Sequence, residues 1–169
     1  MIYDLGPDNG TLAVRTGRTG TVAKAGHDLL LHVTKWRATL AVGDEPSVSV
    51  DADATSMKVR EGTGGMMALD DGDMANIEQT IDDEVLKRQD ISFRSTRADE
   101  TAEGLSVTGD LTLRNTTRSV AFDLELAEQR VRGPAVVKQT EWGMKPYTAL
   151  FGALKVADEV RVEIDAELP

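Results

Sequence analysis

An all-β fold with one amphipathic helix is predicted by three features: period-two alternation along most of the chain, one stretch at helical spacing, and the absence of cysteine. The expected architecture is a closed, eight-stranded antiparallel barrel forming one domain over residues 1–169. Closure is favoured over a sandwich because Ala38, Ala52, Ala54, Gly109 and Ala166 fall on the inward face. Small inward residues leave volume that a solid core would fill with bulk.

The elements follow in order from the side-chain parity. Leu12, Val14 and Thr16 alternate with Ala13 and Arg15, and Val48, Val50, Ala52 and Ala54 alternate with Ser49, Asp51 and Asp53. Each run presents one apolar face, as a half-buried strand requires. Between Leu29 and Val42 the parity slips, from Leu29, Leu31 and Val33 to Trp36, Ala38, Leu40 and Val42. A bulge or corner near Thr34-Lys35 restores the inward face. Leu105, Val107, Gly109, Leu111 and Leu113 interleave with Ser106, Thr108, Asp110 and Thr112, then parity restarts at Val120, Phe122, Leu124 and Leu126. These two runs form a hairpin about a turn at Asn115-Thr116-Thr117. Val160, Val162, Ile164, Ala166 and Leu168 form the last strand.

From Asp73 to Arg88 the spacing changes. Met74, Ile77, Ile81 and Val85 recur at steps of three and four, with Asp70, Asp71 and Asp73 before them and Lys87-Arg88 after. Acids at the start and bases at the end suit a helix dipole. Met144, Tyr147, Phe151 and Leu154 give a weaker helical pattern, read as a short helix or an ordered loop.

Composition narrows the functional classes. Twenty-nine acidic against 19 basic side chains give a net charge of −10, which repels phosphate backbones, so nucleic acid is not an expected partner. Without cysteine there is no thiolate nucleophile and no Cys-ligated metal. No run approaches eighteen apolar residues, so no membrane span is expected, and Met1 to Asp8 has neither a basic n-region nor an apolar h-region. The cytoplasm is the compartment this start implies.

Several motifs then resemble one family. Gly104-Leu105-Ser106-Val107-Thr108-Gly109-Asp110-Leu111-Thr112-Leu113 followed by Thr117-Arg118-Ser119-Val120 resembles the strand–turn–strand signature of the YceI-like, polyisoprenoid-binding family. Val85-Leu86-Lys87-Arg88 running into Ile91-Ser92-Phe93-Arg94-Ser95 is similar to that family's helix end and next strand, and Glu141-Trp142-Gly143 ahead of Val156-Ala157-Asp158-Glu159-Val160 to its ending. Asn115 stands where the family usually has glycine, a place where Asn also tolerates positive φ. The resemblance implies a lipocalin-like barrel with a helix packed over it, an apolar lumen for an isoprenoid chain, and binding rather than catalysis. Many members of the family are exported.

Reactive chemistry is sparse. His27 followed by Asp28 could orient an imidazole as a base or ligand, against the plainer reading of a hydrogen-bonded histidine at the rim. No serine sits in a G-x-S-x-G context, and His32 does not complete H-E-x-x-H spacing. Gly62-Thr63-Gly64-Gly65 fits neither phosphate-binding glycine frame, and Asp70, Asp71 and Asp73 lack the EF-hand order, so neither cofactor nor metal is expected.

The candidate lumen wall is Leu12, Val14, Trp36, Leu40, Val50, Phe93, Val107, Gly109, Leu111, Phe122, Leu124, Val162 and Ile164, with Tyr147 and Phe151 turned inward at one mouth. His27, Asp28, Lys138 and Lys145 form a candidate polar rim, either lysine offering charge to a phosphate head group. The expected partner is an apolar isoprenoid lipid, a polyprenyl chain or isoprenoid quinone, and a homodimer is compatible with the sequence. Two rivals stand beside this reading: an enzyme using His27 with nearby acids, and a filled barrel acting as a protein-interaction module.

Overall fold

A computed structural model of the chain describes residues 1–21, 23, 26–65, 68–149 and 154–169. Its strands are β1 (Ile2–Leu5), β2 (Gly10–Thr19), β3 (Asp28–Val33), β4 (Trp36–Ala41), β5 (Ser47–Ala52), β6 (Met57–Thr63), β7 (Ile91–Glu100), β8 (Gly104–Leu113), β9 (Thr116–Ala127), β10 (Arg130–Lys138), β11 (Thr148–Ala149) and β12 (Leu154–Glu167). They form one antiparallel sheet with the path β1-β4-β5-β7-β8-β9-β10-β12-β2-β3-β6, and β11 pairs with β12 off that path.

This is a curled half-barrel of eleven strands in sequence around the sheet, with β1 and β6 as its edges, and not the closed eight-stranded barrel expected from the alternation. The reason lies at the parity slip. Thr34-Lys35 is a full break between β3 and β4, matched by a break at residues 53–56 between β5 and β6. The bent hairpin then splits: β4 and β5 run on to β7, whereas β3 and β6 join β2. Thr34 donates through N (2.9 Å) and Oγ1 (2.8 Å) to the Ser56 carbonyl, and Asp53 N donates to Lys35 O at 3.0 Å. The Asp53 carboxylate accepts from Thr55 Oγ1 and N, which holds its pKa below the usual range.

The β8–β9 hairpin turns at Arg114-Asn115, one position earlier than expected, with φ of 49° and 63°. Two left-handed central residues match the strand twist, and Thr116 and Thr117 already belong to β9. The next hairpin diverges. β9 and β10 pair only from Ala127↔Arg130 to Glu125↔Arg132. Pro134, which has no N–H to donate, lies two residues beyond Arg132, close to where this ladder ends.

Helix α1 (Asp71–Thr80) starts two residues before the expected Asp73, because Asp70 caps it: its carboxylate accepts from Asp73 N at 2.7 Å and Asp73 returns a bond to Asp70 N. It passes into a π turn over Ile81–Val85, in which Leu86 N donates to Ile81 O at 2.8 Å. Positive φ at Lys87 and Arg88 ends it before the expected boundary. The weak helical pattern after Trp142 is not a helix over the described part. A 3₁₀ turn at Gln139–Trp142 closes on left-handed Gly143, and the chain runs extended into β11. Among the described residues no helix is long and apolar enough to cross a membrane.

Candidate functional site: an apolar lumen beneath the helix

The curled sheet and the helix enclose a cavity of about 460 Å³, within the range of small-molecule sites. Its walls come from the inward face of β1–β10 and β12, and its roof from Ile77, Ile81, Val85 and Leu86. The π turn matters here. Stepping five residues rather than four brings Leu86 beneath Ile81, extending the apolar roof past the end of α1.

Of the expected wall residues, Leu12, Val14, Leu40, Val50, Phe93, Leu111, Phe122, Leu124, Val162 and Ile164 line this cavity, as does Tyr147. Phe93 and Phe122 meet with ring centroids 5.2 Å apart. Trp36 and Val107 do not line it: both are buried within the core, packed against neighbours rather than facing the space. Gly109 is likewise not a lumen position. A Cβ there would strike the Arg94 carbonyl and come within 2.6 Å of Phe93 Cζ, so glycine serves a close approach between β7 and β8. Phe151 lies outside the described residues.

The polar rim separates into unrelated places. Asp28 faces Arg18, Nε to Oδ1 3.6 Å, and Arg18 also donates through Nη1 to the Gly26 carbonyl. His27 packs towards Gly65. Lys138 is exposed and pairs with Glu159 at 3.9 Å, because the parity that turns Val137 into the lumen turns Lys138 away from it. Lys145 is exposed in the loop before β11. No group of three or more acids and histidines suited to a metal occurs among the described residues.

Sequence reasoning missed several wall positions. Val131, Gly133, Ala135 and Val137 on β10 all line the lumen, and their two-residue spacing was the available signal. Gln139 also lines it, and no pattern marks a lone glutamine at a strand end. Its placement depends on the turn that follows. Asp158 accepts from Thr140 N (2.8 Å) and Thr140 Oγ1 (2.6 Å), bonds that keep its pKa low, and Trp142 Nε1 donates to Leu111 O at 2.8 Å. These bonds tie the turn to β12 and β8.

A second, wider groove of about 820 Å³ lies on the outer face. Its arginines are paired within it: Arg15 and Arg161 meet Glu163 at 3.2 and 2.9 Å, and Arg132 meets Asp165 at 3.4 Å. Among the described residues the lumen carries no charged side chain. Apart from a few hydroxyls and amides its lining is hydrocarbon.

With this arrangement established, comparison with known proteins is informative. The YceI-like domain model matches residues 3–168, nearly the whole chain. The chain belongs to the YceI-like family. Its fold is similar to the crystal structure of Burkholderia cenocepacia BcnA, with a TM-score of 0.63 at 15% identity, over 92% of this chain and 94% of that one. The Campylobacter jejuni YceI protein gives a TM-score of 0.57 at 13% identity, over 81% of this chain and 82% of that one. These likenesses concern the fold. A search of the curated proteins finds no match to the chain.

Proposed function

We propose that this YceI-like protein binds an apolar isoprenoid-type lipid, a polyprenyl chain or an isoprenoid quinone, in its lumen, and sequesters or transfers it without chemical change. The observation that carries this reading is the lining. Among the described residues no Asp, Glu, Lys or Arg borders the cavity, while aliphatic and aromatic side chains surround it from β1 to β12 and from the helix above. At about 0.8 kcal/mol per buried methylene, a long chain needs no reaction chemistry to be retained. The enzymatic alternative has less support, since Asp28 faces Arg18 and no group of three or more acids and histidines suited to a metal occurs among the described residues.

Native mass spectrometry with organic extraction, on protein purified from its own host, tests the proposal by identifying what is carried. An extractable long-chain isoprenoid at near-unit stoichiometry is expected. Substitution provides the second arm: Ala52 lines the lumen opposite Trp36, and Ala52→Phe should lower uptake of a fluorescent isoprenoid analogue several-fold in folded protein. Undiminished uptake would place the ligand elsewhere.

A further inference from the structure

The lumen holds one polar side chain that its own fold leaves partly unanswered. Gln139 lines the cavity and is only 6% exposed. Its Nε2 donates to the Ala157 carbonyl at 3.2 Å, which fixes the amide with Oε1 on the other side. Among the described residues Oε1 has no donor. Nor is it sealed in protein, because no buried side-chain nitrogen or oxygen among the described residues lacks a partner. An unbonded Oε1 on so buried a side chain therefore touches open space, and the open space beside Gln139 is the lumen.

The other polar groups on the lining differ. Thr16 Oγ1 accepts from Leu29 N, Thr80 Oγ1 donates to Asn76 O, Thr39 is only half-buried, at the alternate position between Ala38 and Leu40, and Tyr147 and Asn76 are exposed. Among the described residues of the lining, Gln139 alone combines full burial with a free acceptor. A buried acceptor left without a donor in hydrocarbon surroundings is costly, and a ligand that supplies the donor recovers that cost.

We infer that Gln139 anchors the polar end of the ligand, and that this end is an uncharged hydroxyl on a long apolar chain, donating to Gln139 Oε1. The inference rests on the lumen being the binding site, as proposed above. A phosphate or diphosphate does not suit the position, since among the described residues no cation lines the cavity and the β10 lysine, Lys138, faces outward against Glu159. A quinone carbonyl does not suit Oε1 either, because two acceptors would oppose each other.

The test uses the delipidated full chain and three probes of one carbon skeleton class: geranylgeraniol, geranylgeranyl diphosphate and the hydrocarbon phytane, each titrated into wild type, Gln139→Leu and Gln139→Met. Wild type should bind geranylgeraniol roughly tenfold more tightly than phytane, about one hydrogen bond's worth, and more tightly than the diphosphate. Both variants should lose the preference, binding geranylgeraniol no more tightly than phytane. Phytane binding reports an intact lumen, and the Met variant keeps the unbranched side-chain shape should Leu disturb folding. Equal affinity for alcohol and hydrocarbon in wild type, a preference for the diphosphate, or a surviving alcohol preference in a phytane-binding variant would each overturn the anchor while leaving the lumen standing. If no probe binds wild type, the lumen reading itself falls.

Discussion

The two ends of the same strands are built differently. At one end Val131, Ala166 and Gly10 stand in register across β10, β12 and β2; Val131 and Ala166 are at most 1% exposed, and so are Leu105 and Val107 on β8. A Cβ on Gly10 would run into Ala166, and one on Gly104 into the Leu124 carbonyl, so these backbones are in closest approach. Outside, Arg130 clamps Asp165 at 2.7 Å and Glu167 at 3.0 Å. Six residues further along, about 20 Å away, Val137, Val160, Thr16 and Leu29 form the opposite row. There β10 no longer pairs with β9, the roof is a helix with no buried residue, and Tyr147 is 44% exposed. The contrast teaches that the two ends of one sheet are closed by different means. The floor is closed by backbones in close approach and fully buried side chains, and the mouth by a helix with no buried residue.

The largest effect should come from breaking the floor. Leu105→Ala removes a fully buried side chain from a site hemmed in by backbone and should cost about 2–5 kcal/mol. Ile77→Ala, on the inner side of α1, should cost less than about 1 kcal/mol, because the helix contributes little to the cooperative core. Denaturant midpoints at constant slope measure both. Equal losses would show that the helix is part of the core and not a cover.

Sharpening the contrast needs a change confined to the mouth. Asp70→Ala deletes the half of the capping box in which the Asp70 carboxylate accepts from Asp73 N, and should weaken the helix by about 1 kcal/mol. Hydrogen exchange should then quicken over residues 71–85 while β8, β9 and β10 near the floor keep their protection. Loss of protection spread evenly over the sheet would contradict independent opening of the lid.

The sequence makes the floor more legible than the mouth, for a physical reason. Strands with one buried face must alternate, so Leu105, Leu111, Phe122, Leu124, Val162 and Ile164 disclose their inward direction wherever the neighbours lie. Strand count and closure are another matter. The slip at Thr34-Lys35 announces a corner, but which strands the two arms join depends on contacts distant in sequence. Alternation also cannot separate a residue that faces space from one that faces a neighbour, which is why Trp36, Val107 and Gly109 read as lumen and prove to be packing. The mouth is irregular: a π turn, a 3₁₀ turn and a lone glutamine carry it, and none has a period to read.

The smallest expected effect concerns a histidine outside the lumen, and it checks whether the outer face stays apart from the two ends. His32 sits on β3 between Ala13 of β2 and Lys58 of β6, bordering the outer groove. Its pKa is lowered from 6.5, first by partial burial and then by Arg60 and Arg15, with Glu61 opposing them. A depressed histidine pKa means that the unfolded chain takes up the proton first. The contribution of His32 is therefore complete above its ordinary pKa and declines as pH falls from about 6.5 towards the lowered value. Stability measured by denaturant titration between about pH 5.5 and 7.5 should slope gently downward with acid in the wild type, and less so in His32→Gln. Uptake of the fluorescent isoprenoid analogue should not change over the same range, because among the described residues no carboxylate or imidazole lines the lumen. Identical slopes in the two proteins would mean that neither burial nor the arginines depress His32, and an uptake that followed the slope would tie the outer face to the mouth.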